Sequence, residues 1–133
     1  MTPSPTQAVA ERLREAFEAK DLALLGPLLD PKVRWGGPEE TEQTCHSRGD
    51  VLAWYGRAQA AGMSAQVTET VVLDSAVVLA LAMSGPALGP NAKRPDTVFQ
   101  VFHLAGGLVV DIRGFQHRRR AVAFAEKPLR ARG

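Results

Sequence analysis

The amino-acid sequence predicts an α+β fold in which helices pack on one face of a curved, antiparallel or mixed sheet. Two observations predict it: helical patterns predominate in the first 62 residues, and strand-like segments separated by turns follow them. Helices and strands that are segregated along the chain are typical of this class. The 133 residues suit one hydrophobic core, so we expect a single domain over residues 1–133.

The first helix is predicted to begin after Ser4 and to end near Lys20. Ser4–Gln7 forms a capping box with Pro5 at the first helical position. Apolar residues then recur every four positions from Val9 to Phe17, with charged residues on the other face. We expect this helix to bury its apolar side.

A second, short helix is predicted over Leu22–Leu29, with Asp21 as its cap. Gly26-Pro27 should shorten or kink it, and Pro31 should end it. Residues 32–37, KVRWGG, then read as a short strand.

The third helix is predicted to begin after Ser47. Asp50 stands three residues after Ser47, which suits both capping and the helix dipole, and Gly62 is the expected stop. The Arg-Gly-Asp tripeptide is therefore the first turn of a helix. Cys45 and His46 are not predicted to form a catalytic pair, since adjacent residues of an extended segment point to opposite faces.

Four longer strands are predicted after the third helix. The first alternates, the second is a nearly continuous apolar run, and the third is rich in β-branched and aromatic residues. A Pro/Gly-rich loop at 85–95 and an Ala-Gly-Gly turn separate the later ones. The four strands are Ser64–Leu73, Ala76–Met83, Thr97–Leu104 and Leu108–Gln116, and a short helix or arm follows at His117–Glu126.

Composition and motifs exclude several classes of function. The single cysteine allows no internal disulfide and favours the reducing cytoplasm. No apolar run is long enough for a membrane span, and the N-terminus lacks the features of a signal peptide. The basic C-terminal segment contains only Phe124 as an aromatic, whereas nucleic-acid surfaces interleave the two types. We therefore expect a cytoplasmic protein that binds neither membranes nor nucleic acid.

No metal or cofactor is predicted. The three histidines, His46, His103 and His117, lie far apart and lack the spacing of metal-ligand motifs. A glycine-rich phosphate loop is also missing from the sequence.

The third long strand is apolar on both faces. Val98 and Phe102 alternate with Phe99 and Val101. A sheet covered by helices on one side should be polar on the other, so a second layer is expected, most simply another copy of the chain. We predict a homodimer through Phe99 and Val101, with a small exposed patch as the alternative.

Three stretches resemble the nuclear transport factor 2-like superfamily, which includes the SnoaL-like polyketide cyclases. The first is LREAFEAKDLALLGPLLDPKVRW, a helix pair leading to a strand that ends in an aromatic residue. The second is CHSRGDVLAWY, similar to the family's Cys-x-x-Arg-x-x-Val helix entry. The third is VFQVFHLAGGLVVDIRGFQHRRRAVAFA, similar to its last strand pair. The resemblance implies a cone-shaped apolar pocket on the concave face, dimerisation through the convex face, and either isomerase, cyclase or hydrolase chemistry or no catalysis.

The resemblance disfavours ketosteroid isomerase chemistry. That version of the fold needs a carboxylate base on the first strand and a tyrosine–carboxylic acid oxyanion hole. Here the first strand ends in Trp35, Gln100 stands where the buried acid is expected, and Tyr55 lies on the third helix.

The resemblance makes His117 the candidate catalytic residue. It stands where the cyclase and hydrolase branches carry an aspartate, and a histidine can transfer protons near neutral pH. Strict alternation from Ile112 places Gly114 and Gln116 on one face and His117 on the other. A surface role for His117 is therefore the alternative, unless a bulge or the strand end turns it inward.

A pocket wall is predicted from aromatic and aliphatic residues, with two glutamines as polar handles. The alternative is that these side chains simply fill the core, which we favour for Phe17 and Val98. The predicted ligand-binding residues are Trp35, Trp54, Tyr55, Gln100, Phe102, Ile112 and Gln116. Two functions remain open: a protein that binds or converts a small apolar molecule by acid–base chemistry, and a non-catalytic dimeric module with a filled pocket. Whether the protein is an enzyme is not predicted.

Overall fold

The computed structural model describes residues 4–85 and 96–127, and it confirms the α+β class. Most of the loop predicted at 85–95 lies outside these residues. In chain order the elements are α1 (Pro5–Ala19), α2 (Leu22–Leu25), a 3-10 turn (Gly26–Leu28), β1 (Leu29–Gly36), α3 (Arg48–Ala60), β2 (Ser64–Val72), β3 (Ala76–Ser84), β4 (Asp96–Ala105), β5 (Leu108–Phe115) and α4 (Arg118–Glu126).

The five strands form one mixed sheet in the order β1-β5-β4-β3-β2. The four longer strands pair antiparallel, as predicted, and β1 pairs in parallel with β5 at the edge. This parallel pairing places Trp35 beside Ile112 and brings the end of β1 next to the end of β5.

The predicted helix caps are confirmed. The Ser4 hydroxyl accepts a hydrogen bond from the Gln7 amide at 3.1 Å, and the Ser47 hydroxyl accepts one from the Asp50 amide at 3.1 Å. Gly62 follows the end of α3 with a φ of 85°, a left-handed conformation that favours glycine.

The predicted second helix is too long. The α-helical turn ends at Leu25, and β1 already begins at Leu29, so Pro31 lies inside a strand instead of ending a helix. Gly26-Pro27 breaks the helix as expected. Proline is tolerated in β1 because this strand is at the sheet edge, where a missing N–H leaves no ladder partner unpaired.

The core lies between the helices and one face of the sheet, which we call the inner face. Side chains of α1 and α3 pack there against alternate residues of the central strands. Leu13, Val51, Leu79, Phe102 and Ile112 are fully buried in this layer. These residues form the base on which the site described below is built.

The opposite, outer face of the sheet is covered by α4, which corrects the basis of the predicted dimer interface. Val101 is 0% exposed because it packs with Val78 against Ala121 and Ala125 of α4, and Phe99 packs at the edge of the same cluster. The expected second layer over this strand is thus the chain's own last helix. The homodimer itself stays a prediction.

A buried histidine lies beneath α4. His103 is 1% exposed, its Nε2 lies 3.0 Å from the Lys127 carbonyl oxygen, and its ring meets Phe124 edge-on. Its Nδ1 is buried with no hydrogen-bond partner among the described residues. Arg113 donates to the nearby Asp111 at 3.1 Å, and its guanidinium lies over the Phe124 ring of α4.

Stability should therefore fall on acidification. Burial lowers the pKa of His103, outweighing the opposite influence of Asp111. An unfolded histidine takes up its proton near about pH 6.5, and native His103 does so only at lower pH, so stability is lost as the pH drops below about 6.5. Urea unfolding should be measured at about pH 7.5 and about pH 5.5. Between these two pH values His103→Gln should lose less unfolding free energy than the unaltered protein does. The exposed His117 provides the control, His117→Gln, and an unchanged pH dependence in His103→Gln would contradict the prediction.

Candidate pocket

A cavity of about 360 Å³ opens between α1, α3 and the inner face of the sheet. Its size lies at the lower end of the range of small-molecule sites, roughly 300–1,000 Å³. Most of its wall is apolar. The lining side chains used below are Phe17, Trp35, Trp54, Tyr55, Val98, Gln100, Gly114 and Gln116.

Trp35 is held at the cavity edge by two backbone hydrogen bonds to Cys45. Its amide donates to the Cys45 carbonyl at 2.9 Å, and its carbonyl accepts from the Cys45 amide at 2.8 Å. Arg34 on the same strand donates to the Gly37 carbonyl at 3.0 Å and so shapes the turn beside the cavity. The backbone of Cys45 therefore fixes Trp35 in place.

Aromatic rings form one continuous wall. The rings of Trp35 and Trp54 lie 4.0 Å apart between centroids, and Trp54 meets Tyr55 edge-on at 5.4 Å. Phe17 of α1 meets Tyr55 edge-on at 5.5 Å and Phe102 at 6.0 Å. Edge-to-face pairs of this kind are stabilising and fix the ring orientations.

Three polar groups of this wall are joined in a chain of hydrogen bonds. The indole Nε1 of Trp35 donates to the Tyr55 hydroxyl at 3.1 Å. The Tyr55 hydroxyl donates to Oε1 of Gln100 at 3.1 Å. Burial raises the pKa of Tyr55 well above its usual value, so the phenol keeps its proton and remains a donor.

The structure brings five of the predicted binding residues to the cavity: Trp35, Trp54, Tyr55, Gln100 and Gln116. Phe102 and Ile112 do not line it. They are 0% exposed and lie in the core behind the wall, because the strand positions nearer the open end, occupied by Val98 and Gly114, form the cavity surface instead.

The structure does not bring His117 to the cavity. β5 ends at Phe115, and His117 becomes the N-cap residue of α4 with an exposed side chain. No bulge turns His117 inward. It therefore lies at the surface, the alternative that the alternation of the last strand had indicated.

Sequence analysis missed several lining residues. Met63 and Met83 line the cavity, and Gly114 leaves space beside Val98. The alternation of β3 was a usable signal for Met83, since Met83 shares a face with Leu81. No sequence pattern indicated Met63, which lies between α3 and β2.

The ionisable side chains near the cavity are few. Lys20 and Asp21 line it at the end of α1, where both are exposed, and Asp21 also caps α2. In the part of the chain that the structure describes, no group of His, Cys, Asp and Glu side chains could hold a metal ion. Nor does any helix of these residues have the length and apolar character needed to cross a membrane.

A family model described as the SnoaL-like domain matches residues 10–112, more than half of the chain. The chain belongs to the SnoaL-like family. The match spans α1 through β5 and thus includes nearly all of the cavity wall. No curated protein matches the sequence.

Solved structures show the same fold at low sequence identity. Bal32a, from a soil-derived mobile gene cassette, is 21% identical with a TM-score of 0.68, covering 93% of this SnoaL-like chain and all of its own. A nuclear transport factor 2-like protein of unknown function from Burkholderia pseudomallei is 19% identical with a TM-score of 0.68, over 94% of this chain and 100% of its own. A protein proposed to be a ketosteroid isomerase, from Kribbella flavida, is 16% identical with a TM-score of 0.69. The match covers 96% of this chain and 84% of its own. At these identities the similarity shows the fold alone.

Proposed function

We propose that this SnoaL-like protein binds a small, largely apolar molecule in the cavity between α1, α3 and the sheet. The observation that carries the proposal is an open volume of about 360 Å³ behind a wall of aromatic side chains. Burying apolar ligand surface in such a space contributes about 25 cal/mol per Å² before the costs of association.

The open cavity favours binding over the alternative of a filled structural module. Such a module would need its own large side chains to occupy the space. Trp35 and Trp54 instead pack on each other and edge-on against Tyr55 along one wall, and the cavity lies beside them. The arrangement supports a preformed ligand site.

Conversion of the ligand by acid–base chemistry stays a second proposal. His117 is outside the cavity, and the phenol of Tyr55 is engaged in the hydrogen-bond chain, so neither is poised to abstract a proton. Asp21 at the exposed end is the remaining carboxylate in the lining. Binding is therefore the function that the geometry supports best.

Filling part of the cavity should weaken binding strongly without unfolding the protein. Gly114 lines the cavity, and a Cβ there would meet only Val98, at 3.7 Å, an ordinary contact distance. In Gly114→Leu the side chain should occupy the space of about three ligand carbons, at about 0.8 kcal/mol each, and so weaken binding about fiftyfold. Fluorescence titration with N-phenylnaphthylamine, a neutral apolar probe, measures this.

Gly114→Ala is the matched control and should weaken binding only about fourfold. A native protein that does not bind the probe, and that carries no small molecule in native mass spectrometry, would overturn the proposal. Equal binding by Gly114→Leu would also overturn it, because the probe would then sit elsewhere.

The same native mass spectrum tests the homodimer, which we propose with a surface other than Val101. That residue is covered by α4, and part of Phe99 remains exposed. We also propose a cytoplasmic location, which the single cysteine favours.

A further inference from the structure

The hydrogen bonds of the cavity wall run in one direction only. An indole nitrogen can only donate, so the Tyr55 oxygen accepts from Trp35. The Tyr55 proton must then go to the next group, and it finds Oε1 of Gln100 at 3.1 Å. If the Gln100 amide were turned over, its nitrogen would face the Tyr55 oxygen, and the buried phenol proton would have no acceptor. The chain of donors therefore orients the amide.

This orientation leaves one unused donor at the cavity. Nε2 of Gln100 has no hydrogen-bond partner among the described residues. It is also not among the described side-chain atoms that are sealed from solvent without a partner, and Gln100 lines the cavity. The amide hydrogens are thus accessible from inside the site while Oε1 is engaged behind it.

The surroundings of this donor select against charge. Gln100 is 8% exposed, and its neighbours in the wall are Val98, Gly114 and aromatic rings. The charged side chains of the lining, Lys20 and Asp21, are at the exposed end of α1. An ionised group placed against an apolar wall loses its hydration without gaining a partner. A neutral acceptor loses little water and gains the hydrogen bond.

We propose that the cavity selects neutral, planar ligands that carry a carbonyl-type oxygen, and that Nε2 of Gln100 donates the hydrogen bond to that oxygen. This inference rests on the proposed binding function and adds the ligand class. Tyr55 is a positioning residue in this scheme, because it acts only by orienting the Gln100 amide. Trp54 and Phe17 both line the cavity and each meets Tyr55 edge-on, and aromatic side chains of this kind pack well against a planar ring system.

A matched pair of ligands tests the proposal. The first is a naphthyl methyl ketone, and the second is its isostere in which a methylene group replaces the carbonyl oxygen. Equilibrium dialysis against the native protein should show the ketone bound at least about tenfold more tightly relative to its partition between water and an alkane, because the alkane offers the carbonyl oxygen no hydrogen bond.

Two variants assign this preference to Gln100. Gln100→Met and Gln100→Leu both remove the amide donor together with the acceptor for Tyr55, and the methionine does so at nearly the same size. Each should lose the ketone preference while still binding the hydrocarbon, and this retained binding shows that the variant is folded. Gln66→Met, on the exposed side of β2 and outside the cavity, should keep the preference.

The possible outcomes are distinguishable. Equal binding of ketone and isostere by the native protein would overturn the carbonyl inference and leave the binding function standing. A preference that persists in both Gln100 variants would also overturn it. Binding of neither ligand would overturn the proposed function and this inference with it.

Discussion

Replacing Ala121 with aspartate is expected to destabilise the protein by about 3 kcal/mol or more, because a carboxylate would be buried without a partner. Ala121 is 0% exposed and packs in the outer-face cluster with Val78 and Val101. The carboxylate can reach water only if α4 leaves the sheet, and this movement exposes the two valines. Urea unfolding followed by circular dichroism measures the loss.

The same helix supplies the control. Ala123 is exposed two residues further along α4, so Ala123→Asp makes the same chemical change without burying it and should shift stability by less than about 0.5 kcal/mol. Equal stability of the two variants would show that α4 does not cover the outer face in solution. The Ala121→Asp variant also reports on assembly, since an uncovered apolar face should promote association of copies.

Phe102→Ala is expected to have the second large effect, a loss of about 3–5 kcal/mol of unfolding free energy. Phe102 is 0% exposed, faces the inner core from β4 and meets Phe17 edge-on behind the cavity wall. Removing the ring leaves a void that the rigid sheet and α1 cannot close. Chemical denaturation gives the value, and Phe102→Leu, which keeps most of the volume, should cost less than about 1.5 kcal/mol.

This prediction also separates the core from the site. Because Phe102 lies behind the lining instead of in it, Phe102→Leu should leave the affinity for N-phenylnaphthylamine within about threefold, the effect of less than one buried methylene. A large loss of affinity in a stable Phe102→Leu variant would place the residue in the binding surface, as the sequence pattern first indicated.

The sequence by itself determined the class of fold and most element boundaries, because these depend on local chemistry. Ser4 and Ser47 cap their helices through hydrogen bonds to residues three positions away, and Gly62 ends α3 through its own backbone freedom. The alternation of β4 correctly separated the face of Gln100 from the face of Val101. Each signal acts over a few residues, so no tertiary information is needed to interpret it.

Only the tertiary structure decided what covers each face and which residues meet. The apolar outer face of β4 has the same sequence pattern whether α4 or a second copy covers it. The burial of Val101 beneath Ala121 shows that α4 covers it. Likewise, Trp35, Tyr55 and Gln100 are separated by 20 and 45 residues in the chain. Their hydrogen-bond chain, and with it the donor left at the cavity, exists because the parallel pairing of β1 and the packing of α3 bring distant polar groups into contact away from water.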